Sequence, residues 1–176
     1  MAVKGAAADK GGPAKRASGD RAPGDRGPSS GGPAHRARSL ARRLTVQALY
    51  QLQLNPRPWQ DTHQEYAADP EAERVDRDYF RGLLEGIAPN RDTLDLVLAR
   101  LSEIPPAELD PIEHAVLWLG LHELQAEPEL PYRVVLSEAV QLTKQFGATD
   151  GHKFVNAVLD RAAQELRPHE YGQSLA

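Results

Sequence analysis

Apolar side chains recur every three or four residues through most of this chain, and nowhere do they alternate convincingly with period two. That regularity directs the chain to amphipathic helices. A helix returns to the same face after 3–4 residues, whereas a strand changes face at every step. Seven stretches carry the pattern, at 35–54, 59–68, 75–88, 91–102, 110–125, 131–146 and 150–166. Breakers separate them: Asn55 with Pro56 and Pro58, then Asp69 with Pro70, Pro89 with Asn90, Pro105 with Pro106, Pro128 with Pro131, and Gly147. Proline removes a backbone donor and glycine admits non-helical backbone, so each break has a physical cause. The fold class is all-α.

The stretch 35–54 organises the rest. It contains neither Gly nor Pro, and Ala37, Leu40, Ala41, Leu44, Ala48 and Leu52 share one face. Arginines flank that face. Arg36 and Arg43 share a ridge with Tyr50 at seven-residue spacing, while Arg38 and Arg42 fall on the other side. All four are expected beside the apolar stripe, at the edge of the solvent. They crowd the N-terminal end, where the helix dipole disfavours a cation by roughly 0.3–1 kcal/mol each. An outside anion would account for the placement, and so would a solvated basic helix end.

Later helices read in the same way. Phe80, Leu83, Leu84 and Ile87 form a stripe over 75–88, with Asp76 or Asp78 suited to its first turn; Leu94, Val97, Leu98 and Leu101 form the next. Asp110 is placed to cap a helix whose first residue is Pro111, with Glu113 three residues beyond the cap. That helix is apolar nearly all round from Ala115 to Leu121, as for a helix inside a bundle. Val135, Ala139, Leu142 and Phe146 line the helix that ends at Gly147. Thr149 or Asp150 caps the last one, whose apolar face holds Phe154, Val155, Val158, Leu159 and Ala162.

Charge divides the chain. Residues 1–43 hold ten Lys/Arg against three Asp/Glu (+7), and residues 44–176 hold eleven against twenty-two (−11). A basic arm on an acidic body suits a polyanion at the arm and a basic protein at the body. Residues 1–34 are Gly-, Pro-, Ala- and Ser-rich with almost no large apolar side chain, so they are expected to be a disordered basic tail. The folded domain is expected over 35–168, followed by a flexible C-terminus over 169–176. No apolar run reaches the ~18 residues of a membrane span, no secretory h-region begins the chain, and there is no cysteine. This composition suits the cytoplasm.

Catalytic patterns are poor. His122 and Glu123 begin like a zinc-protease pair, but position 126 is Ala. The six histidines lack ligand spacing, and His114 and His122 read as packing or hydrogen-bonded residues. Nothing calls for a cofactor or a metal, and no enzyme is indicated. Binding patterns are better. Asp150, Gly151, His152, Lys153, Phe154, Val155 and Asn156 bring a helix start, a cation, an aromatic and an amide together. Helix-start amides can hold phosphate and an amide side chain can read a base edge. Phe154 reads as core, and Asn156 as a brace for a neighbouring loop or a ligand contact.

At this point the residues resemble a known family. Arg42-Arg43 with 46–50 (Val-Gln-Ala-Leu-Tyr) is similar to the first helix of the NusB family of bacterial transcription antitermination factors. Tyr79-Phe80-Arg81 with Leu83-Leu84, then 113–117 with Glu123-Leu124, follow in the family's order. Pro131-Tyr132, Glu138-Ala139, Lys144, Phe146-Gly147, 152–156 and 158–160 complete a match over roughly 36–168. The resemblance implies about seven helices in two packed bundles. It implies binding of boxA RNA of nascent transcripts, notably from ribosomal RNA operons, together with the ribosomal protein NusE. It places the protein in an elongation complex with other Nus factors and leaves a homodimer open. The related helical domain of ribosomal RNA cytosine methyltransferases makes an RNA-binding or protein-interaction accessory module the alternative; no methyltransferase domain is expected after Ala176.

The expected RNA contacts are Arg36, Arg38, Arg42, Arg43, Asp150, His152, Lys153 and Asn156, and Glu113 is the candidate contact for the protein partner. Three positions depart from the family pattern. Ala157 stands where Gly is usual, predicting a wider helix approach. Trp118 stands where Arg is common, and His122 where Tyr is common.

Overall fold

In a computed structural model, described over residues 31–173, eight α-helices and three short 3-10 turns follow one another, with no strand among the described residues. The expectations for residues 1–30 and 174–176 lie outside the described residues. The helices are α1 (Pro33–Leu54), α2 (Trp59–Ala67), α3 (Arg77–Ile87), α4 (Arg91–Leu101), α5 (Pro111–Ala126), α6 (Tyr132–Phe146), α7 (Gly151–Leu166) and α8 (Pro168–Gln173). Helix α1 begins at Pro33, two residues before the expected start, because a proline at the first helical position gives up only an N–H that has no intrahelical partner.

Local chemistry fixes several ends. The Asp76 carboxylate accepts from the Tyr79 amide at 3.0 Å and starts α3. The Asp110 carboxylate accepts from the amides of Ile112 (2.9 Å) and Glu113 (3.3 Å) and starts α5. Such caps are worth about 1 kcal/mol each.

Two bundles share α5. Helix α1 packs on α2, α3 and α5; α5, α6 and α7 pack on one another, and α4 closes against α5 and α7. The sharing explains why α5 is apolar on nearly every face, with Ala115, Val116, Leu117 and Leu121 fully buried. Around it lie Leu49 and Leu52 of α1, Phe80, Leu84 and Ile87 of α3, Leu98 of α4 and Leu159 of α7. Each such large side chain contributes about 1.5–3 kcal/mol on full burial. Helices α5 and α7 meet at Gly120, where a Cβ would lie 2.6 Å from Leu159 Cδ1. Ala157, by contrast, is exposed, so the wider helix approach expected at that position is corrected.

Over 169–173, where a flexible C-terminus is expected, the chain is helical as α8 and packs on the body of the protein. Arg167 donates to the carbonyls of Glu123 (3.0 Å), Leu124 (3.0 Å), Glu127 (2.7 Å) and Leu130. These oxygens belong to the last turn of α5 and the connection after it; the carbonyls of Glu123 and Glu127 also accept from the amides of Glu127 and Leu130, whereas a carbonyl so near the helix end as that of Leu124 has no intrahelical partner of its own. Glu170 then accepts from the Tyr132 amide at 2.8 Å, at the start of α6, and Tyr171 packs on the Tyr132 ring. One guanidinium thus holds the α5–α6 connection, and α8 is ordered by what it covers.

Candidate nucleic-acid interface

The four arginines of α1 do not share one surface. Arg42 is 1% exposed. Its Nε donates to Glu123 Oε1 at 2.7 Å, and an Nη donates to the Tyr79 hydroxyl at 3.3 Å. Tyr79 itself donates to the same Glu123 oxygen. Glu138 Oε2 lies 3.8 Å from the guanidinium. Burial alone would lower the Arg42 pKa; Glu123, Tyr79 and Glu138 outweigh it, and the net shift is upward. Burial pushes the Glu123 carboxyl up despite Arg42, and burial with Glu123 pushes the Tyr79 phenol far up. The expectation that Arg42 contacts RNA is therefore corrected. Its charge is consumed inside the fold, joining α1, α3 and α5, and a phosphate has no access to it.

Arg38 lies on the flank toward α3. Its Nε is 3.7 Å from Asp76 Oδ2 and its guanidinium carbon sits 4.8 Å from the Tyr79 ring centroid. The cleft it borders also holds Asp78 and Glu127, so carboxylates already screen its charge.

Arg36 and Arg43 face the other way and border one cleft between α1 and α6. The guanidinium carbon of Arg43 stands 5.7 Å from the Phe146 ring centroid, within cation–π range. Phe146 ends α6, and five residues later Gly151 begins α7. The basic ridge of α1 is thereby placed beside the connection that leads into the first turn of α7.

At the cap and over the first two turns of α7, Asp150, Lys153 and Asn156 are all exposed. Asp150 occupies the capping position but its side chain makes no cap bond; it pairs with Lys153 Nζ at 3.1 Å instead. Lys153 and Asn156 are three residues apart and share a face of the helix. His152 is half-buried, and its Nδ1 is buried with no hydrogen-bond partner among the described residues. The Glu113 side chain lies directly beneath: a Cβ on Gly151 would fall 2.1 Å from Glu113 Oε1, so any larger residue there would push the Glu113 carboxylate aside. Glu113 is 9% exposed, and burial followed by the Asp110 carboxylate raises its pKa. Its expected part as the contact for a protein partner is corrected, since it underlies the start of α7 and offers little surface.

The histidines behave as packing residues. His114 Nε2 lies 2.5 Å from Asp95 Oδ1, Trp118 Nε1 donates to the same oxygen at 2.7 Å, and the two rings are 3.9 Å apart. The Trp118 departure thus belongs to an α4–α5 contact. His122 packs against Gly86, where an added Cβ would meet its Cε1 at 2.3 Å, and burial lowers its pKa.

Sequence reasoning missed the Arg42–Glu123 pair, although a signal existed. The positions three, four and seven after Arg42 are Thr45, Val46 and Leu49, and all three are fully buried. A cation centred on that face needs a buried anion, and Glu123 is the carboxylate that α5, apolar on nearly every face, carries toward it.

The arrangement defines a two-bundle helical protein with a cationic ridge leading to an exposed helix start. The family model described as the NusB family matches residues 39–164. The transcription antitermination protein NusB of Methylobacillus flagellatus is 44% identical over 138 residues, covering 78% of this chain and 90% of that protein. The NusB of Hahella chejuensis is 43% identical, covering 76% and 89%. Among solved structures, T. maritima NusB matches with a TM-score of 0.67 at 27% identity, covering 77% of this chain and 96% of that one. A crystal structure of the antitermination factors NusB and NusE in complex with dsRNA matches in fold, with a TM-score of 0.64 at 21% identity over 72% and 96%. The chain belongs to the NusB family of non-catalytic antitermination factors.

Proposed function

We propose that this protein binds boxA RNA of nascent transcripts, notably those of ribosomal RNA operons, together with the ribosomal protein NusE, inside an elongation complex with other Nus factors in the cytoplasm. The observation that carries the reading is the contact of Arg43 with Phe146, which turns the Arg36–Arg43 ridge toward the end of α6, five residues before the start of α7, the helix that carries the exposed Lys153 and Asn156. Arginines and a lysine on one surface attract phosphates, and phosphate contacts supply affinity and salt dependence. The acidic balance of residues 44–176 suits a basic ribosomal partner. The related NusB that was crystallised with NusE and dsRNA supports the choice of partners.

The test is titration of labelled boxA RNA and of a scrambled RNA at several salt concentrations, with and without NusE. Tighter binding of boxA, a linear fall of log K with log salt, and a gain on adding NusE are expected. Equal binding of both RNAs with no effect of NusE overturns the proposal.

A further inference from the structure

The cleft between α1 and α6 has a composition that phosphate attraction does not require. It holds about 220 Å³ and is bordered by Arg36 and Arg43, with Leu40 and the buried Leu142 as its apolar part and Gln141 and Gln145 as its amides. Both glutamines are exposed, and they stand four residues apart on one ridge of α6. Glu138 also borders the cleft, but its carboxylate is already engaged. Ser39 donates to Oε1 at 2.9 Å, His35 Nε2 lies 3.3 Å from the same oxygen, and the Arg42 guanidinium faces Oε2. The cleft therefore combines two cations, an apolar surface and two uncharged donor–acceptor side chains.

We propose that this cleft is a base-reading subsite. One unstacked base of a single-stranded RNA enters it, its face on Leu40 and Leu142 and its edge toward Gln141 and Gln145, while Arg36 and Arg43 hold the flanking phosphates. The inference rests on the RNA reading above and deepens it by naming side chains that select a base. A carboxamide presents a donor and an acceptor together, which matches the paired groups on a base edge; a guanidinium on a phosphate sees the same group whatever the base. Single-stranded RNA offers such edges free of pairing. A groove built for phosphates alone would carry further cations along the α6 rim, where this chain has glutamine twice.

The test uses the full chain and boxA RNA, with derivatives of that RNA each abasic at one position, titrated at fixed salt. For the wild type, removing one particular base is expected to lower affinity about tenfold. The Gln141→Ala/Gln145→Ala variant is expected to bind intact RNA about tenfold more weakly and to stop distinguishing it from that one abasic derivative. Its melting temperature and salt slope should stay at wild-type values, since both side chains are exposed and neither carries charge. A variant that keeps the wild-type abasic profile, or that weakens equally for every RNA, overturns the subsite while leaving RNA binding standing. A wild type that binds RNA without regard to any single base does the same. A wild type that binds no RNA overturns both readings.

Discussion

Arg42 and Arg43 stand side by side in α1. One has 1% of its surface in water and is bonded to Glu123 and Tyr79; the other borders open clefts on both sides and reaches over Phe146. The difference follows from 3.6 residues per turn. Three, four and seven positions after Arg42 come the buried Thr45, Val46 and Leu49; after Arg43 come Val46 and the half-buried Gln47 and Tyr50. A step of one residue turns the helix by about 100° and moves a guanidinium from the core to the groove. Two adjacent cations of the same type thus stand in different surroundings: Arg42 holds three helices to one geometry, and Arg43 is the one that the proposed RNA reading uses.

The largest effect should come from the buried member. Arg42→Met leaves the Glu123 carboxylate without its cation, and breaking a buried pair on one side costs roughly 3–5 kcal/mol. At about 2–4 °C per kcal/mol for a chain of this size, the melting temperature should fall by roughly 10 °C. Adding Glu123→Leu should recover part of the loss, because the uncompensated charge goes with it. Arg43→Ala should change stability by less than about 0.5 kcal/mol and reduce the salt slope of RNA binding by about one. The contrast breaks if Arg42→Met melts like the wild type and binds RNA more weakly, for then Arg42 would be serving the RNA and not the fold.

The same distinction separates what was legible in the sequence from what was not. The caps at Asp76 and Asp110, the proline start of α5 and the stripes of α3 through α7 depend on neighbours within a turn or two, so local spacing reveals them. Arg42 finds Glu123 81 residues away. Arg167 finds the carbonyls of α5 about 40 residues away, which is how an apparently loose C-terminus becomes α8. Glu113 meets Gly151 across two bundle helices. Such partners are chosen by packing, and a polar residue read alone is assigned to solvent. For the candidate interface, Arg36, Lys153 and Asn156 are exposed and Arg43 is half-buried. The cleft that joins the first two to α6 needed the helices to be placed.

A middle-sized effect would sharpen the division within the exposed set. Lys153 pairs with Asp150 at 3.1 Å in solvent, a contact of little energetic weight, and Asn156 lies one turn on along the same face. Lys153→Ala is expected to weaken boxA and scrambled RNA alike, because an ammonium group sees phosphate. Asn156→Ala is expected to reduce the preference for boxA by roughly 1–3 kcal/mol, because an amide can pair with a base edge. Binding of both RNAs and thermal melting should be measured on the two variants. A destabilised Asn156→Ala with full discrimination would make Asn156 a brace for the connection at Gly147 and remove it from the RNA surface.

The smallest effect concerns a second comparison of buried charges, Glu123 against Glu113. Glu123 is answered by Arg42, whereas Glu113 feels the carboxylate of Asp110 as the next influence after its burial, and its pKa is raised. A carboxyl whose folded pKa lies above its unfolded value contributes stability that is full below the unfolded pKa and is lost as pH rises through the folded one. The site therefore favours the protonated form of Glu113, and any charge that Glu113 carries at pH 7 costs stability. Glu113→Gln keeps the shape under Gly151 and removes the charge, so it should raise the melting temperature modestly at pH 7. The advantage should shrink as the pH is lowered toward the ordinary carboxylate value of 4.5, where the wild type takes up its own proton. Melting curves of both proteins across that range decide the matter. An equal difference at every pH would mean that the ionised carboxylate is not disfavoured there, and that some partner at the start of α7 answers Glu113 as Arg42 answers Glu123.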